Sequence, residues 1–399
     1  MRGPLDGVRV VELGVWVAGP AAGGILADWG AEVVKLEPPG GDPARSFAEM
    51  LGADLPFNPP FELDNRGKRS VAVDLSSPAG AQVAGQLLER ADVFVTNLRP
   101  LALARLGLDP ASQLAAHPRL VYGLISGYGT EGPDRDRPAY DIGAFWARSG
   151  LAHLLTPPGA DPVFQRGGMG DHSAAMTLVA AVCAALYARA STGQGQLVST
   201  SLLRQGLYTI GFDVSVALRF GREVGTPTRA TMANPLINCY RDAEGRWFWL
   251  VGLEADRHWP GLARAVGHEE WLADPRFATR RARARNCAEL VRLLDEEFSR
   301  QALAAWGESF DRHGVWWAPV QSPSEALSDP QVRASGALVE VAEESGTTTL
   351  LATPADFTAT PASVRSMAPG LGQHTDEVLA ELGHDSASIR RLRETGAVG

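Results

Sequence analysis

The stretch Gly167–Met176, GGMGDHSAAM, sets an aspartate and a histidine side by side after three glycines. Asp171 has two readings there. An aspartate at the start of a helix accepts backbone N–H bonds and suits the positive end of the helix dipole. A carboxylate in that place is also a nucleophile, and Gly167, Gly168 and Gly170 would let a ligand come close to the backbone. The two readings are compatible, because a helix N-terminus stabilises a developing oxyanion as well.

Other groups could act with it. Tyr140 and Asp141, in RPAYDIGAF, lead into an apolar helix and read either as a turn with a second cap or as part of a site. Basic residues cluster near expected strand ends: Arg45 after GGDP, Arg66, Lys68 and Arg69 in NRGKRS, Arg99 in TNLRP and Arg105 in LARLGL. Such residues pair with phosphates, although each alone is also ordinary surface charge. The arginines from Arg276 to Arg285 read as a solvated helix face. His153, His172 and His258 have no metal-ligand spacing, and no P-loop or nucleophile elbow occurs. Trp16, Phe145, Trp146, Trp316 and Trp317 are expected in the core or lining a pocket.

These residues need a scaffold, and the first 130 residues alternate in the manner of one. VRVVEL, EVVKLEPP, RSVAVDL, ADVFVTN and LVYGLISGYG read as strands, with AAGGILADWGA and AGAQVAGQLLER as helices between them. Strand–helix–strand units of this kind build a parallel sheet. The loop after the first strand, LGVWVAGPAAGG, lacks the G-x-G-x-x-G spacing, and the acidic residue it would need is Glu37 in EPPGGDP. NAD or FAD is therefore not expected.

Further on, 173–190 reads as an apolar helix, TGQGQ as a turn and LVSTSLL as a strand. NCYRDAEGRWFWLVGL reads as a hairpin turning at Glu244-Gly245. Helical segments follow, then WWAPVQSPSEALSDP as a loop, and a closing strand, loop and helix from TTTLLATPADF and APGLGQHTDEVLAELG. The expected fold class is α/β. A large Rossmann-like parallel-sheet domain is built from both chain ends, 1–224 and 326–399, and a smaller α+β domain is inserted at 225–325.

With 399 residues, 45% of them hydrophobic, the chain can bury a large core. Its 37 basic against 46 acidic residues give a net charge of −9, unfavourable for nucleic acid. Cys183, Cys239 and Cys287 are too scattered for a metal knuckle or a disulfide framework. The N-terminus has no signal-like apolar block, and no 18-residue apolar run suggests a membrane span. The expectation is a protein of the cytoplasm.

Taken together, LDGVRVVELGVWVAGPAAGGILADWGAEVVKLEPPGGDPAR, NRGKRSVAVDL, ADVFVTNLRP, GYGTEGP, GDHSAAM, TGQGQ and LGQHTDEVLAELG resemble the family III CoA-transferases over nearly the whole chain. The superfamily, CaiB/BaiF, also holds the α-methylacyl-CoA racemases. The resemblance implies that Asp171 is the nucleophile. It implies that coenzyme A lies against Val17 and Ala18. Val73, Asp74, Leu75 and Ser76, with Asn97, Leu98, Arg99 and Arg105, would hold its adenosine and phosphates, and Arg45 is a further candidate for binding it. Ala139, Tyr140 and Asp141 would approach the pantetheine and thioester. It also implies an interlocked, ring-like homodimer that uses an acyl-CoA and a small organic acid, with no metal and no permanently bound cofactor.

Two departures narrow the activity. Racemases carry His-Asp where this chain has Tyr140-Asp141, and tyrosine, with a reference pKa near 10, is a poor base for an α-proton. A CoA-transferase is therefore expected, with a 2-methylacyl-CoA racemase as the alternative. The formyl-CoA and oxalate enzymes carry a glycine-rich loop where this chain reads ATMANPLINCY. GYGTEGPDRDRPAYD, WARSG and GMGDH look closer to the branch acting on aryl- or alkyl-substituted 2-hydroxy and enoic acids. Trp16, Phe145 and Trp146 would then line an apolar acyl pocket.

Overall fold

The computed structural model describes residues 3–47, 58–343 and 346–399. The chain divides into two compact units. The first comprises Met1–His153, Pro162–Glu223 and Gly336–Gly399.

Six β-branched runs form one sheet: β1 (Arg9–Leu13), β2 (Glu32–Glu37), β3 (Arg69–Ala72), β4 (Val93–Thr96), β5 (Val121–Ser126) and β6 (Gln196–Ser201). Their order is β3-β2-β1-β4-β5-β6, and every neighbouring pair is parallel. Alternate residues face opposite ways. Val10, Val93 and Val95 join one buried cluster, and Val11, Leu13 and Phe94 join the other. The strand order reverses between β1 and β4, and doubly wound sheets bind ligands in the crevice beyond that reversal.

Helices fill both faces: α1 (Ala18–Asp28), α2 (Pro59–Asn65), α3 (Pro78–Arg90), α4 (Pro100–Arg105) and α5 (Pro110–Ala116). After β5 come a π-helical turn (Ile142–Ala147), α6 (Leu151–Leu155) and α7 (Met169–Thr192). In length and hydropathy α7 would suit a membrane span, although polar residues interrupt its apolar run. Its Ala174, Ala175, Leu178, Val179, Val182 and Ala185 are buried with residues of α1 and β5. The expected strand LVSTSLL ends at Ser201, whose hydroxyl caps α8 (Leu202–Thr209) by accepting from the Arg204 amide; α9 (Gly211–Phe220) follows.

The second unit takes Leu154–Asp161 as well as Val224–Ser335, so its far bound is Ser335 rather than the expected 325. It holds a three-stranded antiparallel sheet of β7 (Ile237–Arg241), β8 (Trp247–Val251) and β9 (Trp317–Pro319). The hairpin turns at Gly245, φ 80°. WWAPVQSPSEALSDP, expected as a loop, instead gives β9 and a helix at Pro323–Ser328 that Ser322 and Glu325 cap reciprocally. Tyr240, Phe248, Phe298 and Phe310 centre the core. The arginine run is not wholly solvated. Arg283 is buried, donates to Phe277 O and lies 5.0 Å over the Trp259 ring.

The chain then returns to the first unit through the antiparallel pair β10 (Leu338–Glu343) and β11 (Gly346–Leu351) and two helices, Thr375–Glu381 and Ser386–Glu394.

Candidate active site

The loops after β1 and β4 meet at the strand reversal. The Val15 amide donates to Asn97 Oδ1 at 3.0 Å, and Asn97 Nδ2 donates back to Val15 O at 2.8 Å. The next residue, Trp16, has φ 64°, the one positive φ outside glycine among the described residues. A side chain in that region is strained, and such strain persists only where neighbours fix the backbone. Here Asp42 Oδ1 accepts from the Trp16 amide at 3.0 Å.

Asp42 is itself part of a buried ionic cluster. Lys35 Nζ donates to Asp42 Oδ2 at 2.9 Å, to Glu12 Oε1 at 3.0 Å and to Gly14 O at 3.0 Å. Lys68 Nζ lies 2.6 Å from Glu12 Oε2 and donates to Pro20 O at 2.8 Å and to Asn65 Oδ1 at 2.9 Å. Burial pushes Lys68 down to about 8 against the pull of Glu12. Lys68 is thus no phosphate ligand, contrary to the reading of NRGKRS. Arg66 is bound to Asp28 at 2.7 Å and Arg69 to Glu381 at 2.7 Å. This cluster carries the turn that starts α1, where Val17 is the cap residue and Ala18 the first helical residue.

The N-terminus of α7 lies at the same edge of the sheet, because crossover helices run antiparallel to the strands and α7 packs along α1. Gly168 is the cap residue, with φ 79°. Gly170 is compelled by packing, since a Cβ there would stand 2.5 Å from the Phe145 ring. Asp171 is therefore the third helical residue and caps nothing. Its carboxylate is half-buried and accepts no hydrogen bond among the described residues. Burial first, then the charge of Asp141, pushes it up to about 7; Asp64 adds to the rise and His172 opposes it. A free aspartate, with a reference value near 3.9, is fully ionised at neutral pH, and burial removes that condition here.

Around Asp171 stand Asp141, Asp64 and His172. Asp141 is 8% exposed and accepts from Gln165 Nε2 at 2.9 Å. His172 Nε2 lies 3.1 Å from Asp64 Oδ1, and that bond holds His172 above the usual histidine range. Tyr140 is 62% exposed and meets Trp16 edge-on at 5.7 Å. Ala139 packs against Gly127, where a Cβ would be 2.4 Å away.

The remaining sequence candidates divide. Val73, Asp74, Leu75 and Ser76 follow β3, with Ser76 donating to Asp74 Oδ1 through both its amide, at 2.9 Å, and its hydroxyl, at 2.6 Å. Leu98 and Arg99 follow β4 beside Asn97. Arg99 Nη1 reaches Asp136 O at 3.3 Å, and Arg105, at the end of α4, is exposed. All these lie at the C-terminal edge of the sheet. Arg45 is there too, but its guanidinium is held by Glu37 at 2.6 and 2.8 Å and lies 4.4 Å over Phe61. Phe145 and Trp146 are core residues, not pocket walls. The sequence reading missed Asp42, Lys35, Asp64 and Gln165, whose roles come only from contacts distant in sequence. Among the described residues no cluster of His, Cys, Asp and Glu could hold a metal ion.

A cleft of about 640 Å³ opens beside α7, with Val17, Leu63, Gly168, His172 and Leu350 in its wall.

The chain matches CoA-transferase family III over residues 5–375. It is 33% identical over 399 residues to the (R)-2-hydroxy-4-methylpentanoate CoA-transferase of Clostridioides difficile, covering 99% of each chain. It is 31% identical over 394 residues to the cinnamoyl-CoA:phenyllactate CoA-transferase of Clostridium sporogenes, covering 98% of this chain and 96% of the relative. A crystal structure of a CaiB/BaiF family protein from Brucella suis superposes with a TM-score of 0.82 at 30% identity, covering 96% of this chain and all of that one. The parallel sheet, the loops gathered at its switch point and these similarities lead to one assignment: the chain belongs to the family III CoA-transferases, enzymes whose substrates are CoA thioesters.

Proposed function

We propose that this enzyme moves CoA between an acyl-CoA donor and a carboxylic acid acceptor, both of the alkyl- or aryl-substituted 2-hydroxy or enoic type, through a covalent relay on Asp171. The observation that carries the reading is the unbonded, half-buried Asp171 carboxylate on the first turn of α7. Relatives named for such acids support the substrate class.

The relay runs as follows. Asp171 attacks the donor thioester carbonyl; the C–S bond breaks, leaving an aspartyl–acyl anhydride and CoA thiolate. The thiolate attacks the aspartyl carbonyl of the anhydride. Donor acid leaves as carboxylate, and Asp171 holds CoA as a thioester. The acceptor carboxylate attacks that thioester and displaces CoA thiolate, giving a second anhydride. The thiolate attacks the acceptor's carbonyl, releasing the new acyl-CoA and the free Asp171 carboxylate. Covalent catalysis of this kind splits one hard step into easier ones and conserves the thioester's free energy if water is kept out.

Each anhydride and thioester forms through an oxyanion, which backbone N–H groups at the starts of α1 and α7 can face. Only ionised Asp171 attacks. The positive charge of His172 favours that form, and Asp141 disfavours it. Val17 and Ala18 would contact CoA. Val73–Ser76, Asn97, Leu98, Arg99 and Arg105 would bind its adenosine and phosphates, and Ala139–Asp141 the pantetheine end. No observation favours racemisation. Tyr140 is a positioning group in this reading, not a base.

The proposed assembly is a homodimer in the cytoplasm. Tyr208, Phe212 and Leu218, at 83%, 94% and 83% exposure on α8 and α9, support an interface there. Mass spectrometry after mixing with a donor acyl-CoA tests the relay, and sedimentation at micromolar concentration tests the dimer.

A further inference from the structure

Phe145 and Trp146 are closed within the core, so the acyl group needs another wall. The cleft beside α7 offers one. Gly168 and His172 bring it within a turn of Asp171 on α7, and Val17 joins it to the start of α1. Apolar side chains share its wall: Leu63 from α2, and Leu350 and Leu351 from β11.

Most charges in this wall are already matched. Asp64 is bound to His172 at 3.1 Å, Arg66 to Asp28 at 2.7 Å, and Glu62 accepts from the Ala368 amide at 2.7 Å. Arg166 is the exception. Its exposed guanidinium has no ion-pair or hydrogen-bond partner among the described residues. An unmatched guanidinium beside an apolar wall is complementary to an amphiphilic anion: a carboxylate with a hydrocarbon body.

The space is sufficient. At about 640 Å³ the cleft falls in the usual range for small-molecule sites. Beyond the His172–Asp64 pair lies a side cavity of about 180 Å³, with Ile25, Met176 and Pro354 in its wall. The pair, with Leu63 and Arg66, lines both spaces.

We propose that this cleft is the acyl subsite, that it takes apolar monocarboxylic acids of branched-alkyl or aryl size, and that Arg166 guides the acid's carboxylate toward Asp171. The proposal rests on the Asp171 relay reading. Leu63 and Leu350 are then specificity residues, setting how bulky an acid can enter. Arg166 acts on the incoming anion and not on the thioester.

The test uses the full-length protein with but-2-enoyl-CoA as donor and acceptor acids from but-2-enoate to 4-methylpent-2-enoate and 3-phenylprop-2-enoate. Leu63→Trp and Leu350→Trp, on separate elements, should each cut kcat/KM for the two bulky acids by about tenfold or more relative to but-2-enoate, since pocket fit is worth that much. Arg166→Gln should raise KM for every acid by about tenfold, with a smaller change in kcat. In all three variants the Asp171–CoA adduct formed from but-2-enoyl-CoA alone should persist. An equal loss for small and bulky acids in a folded Trp variant, or no loss in either, overturns the subsite. An unchanged acid KM in Arg166→Gln overturns the guiding role. Failure of the unaltered protein to form the adduct counts against the relay itself and is read separately from the acid profile.

Discussion

His172 Nε2 lies 3.1 Å from Asp64 Oδ1, and His172 is the residue after Asp171 on α7. The bond favours the positive imidazolium beside the proposed relay carboxylate, and the charge of Asp141 acts on that carboxylate in the opposite sense. Burial and Asp141 push Asp171 up to about 7, and His172 pulls it down. The attacking form is the anion, so kcat/KM should rise with pH through about 7 and level off above. Asp141→Asn removes a negative neighbour and should move the acid limb to lower pH by roughly half a pH unit or more. His172→Asn removes the opposing cation and should move it to higher pH. A pH–rate profile of the three proteins checks this, and shifts of the same sign in both variants contradict it.

The same carboxylate should leave a mark on stability. Its folded value lies above the unfolded reference near 3.9, so between the two the folded state binds more protons. Stability from this group is therefore intact below about pH 4 and lost as pH rises through 7. Asp171→Asn cannot ionise and should be more stable than the natural protein at pH 8, on the order of 1–3 kcal/mol, and about equal at pH 4. Urea unfolding at the two pH values measures the difference.

Gly170 gives a geometric test. A Cβ there would stand 2.5 Å from the Phe145 ring, so Gly170→Ala must shift the first turn of α7. A displacement of this size at a reacting group costs about 100-fold in rate. Gly170→Ala should lose activity to that degree, and Phe145→Leu in the same chain should restore part of it. Steady-state rates of the single and double variants decide.

Arg45 and Arg105 should separate. Arg105 is exposed and is proposed to meet phosphate, so Arg105→Gln should raise KM for acyl-CoA about fivefold or more, less so at high salt, with little change in melting temperature. Arg45 neutralises Glu37, which is buried. Arg45→Gln should instead destabilise the fold by roughly 1–3 kcal/mol. Thermal melts and acyl-CoA titrations of both variants test the contrast.

The parallel sheet was readable because its strands are short β-branched runs between helical segments, whereas their order comes only from the folded chain. Asp171 was readable as a residue but not as an environment. Its carboxylate neighbours come from Asp141 and Asp64, and Asp64 is 108 residues from His172. The positive φ at Trp16 left no trace, because no glycine marks it. Arg66 and Lys68 looked like solvated cations since their partners, Asp28 and Glu12, are supplied only by folding. β9, three residues ending in Pro319, is too short to carry a period and owes its pairing to β8. The burial of Arg283 likewise depends on Trp259 and Asp256 from another helix.

Covalent attachment to Asp171 can be read by peptide-resolved mass spectrometry after the enzyme is mixed with donor acyl-CoA and quenched in acid. A CoA thioester is expected on the peptide carrying Asp171, absent in Asp171→Asn and discharged by added acceptor acid. Transfer by a folded Asp171→Asn protein, or a CoA adduct on any other residue during turnover, would contradict it.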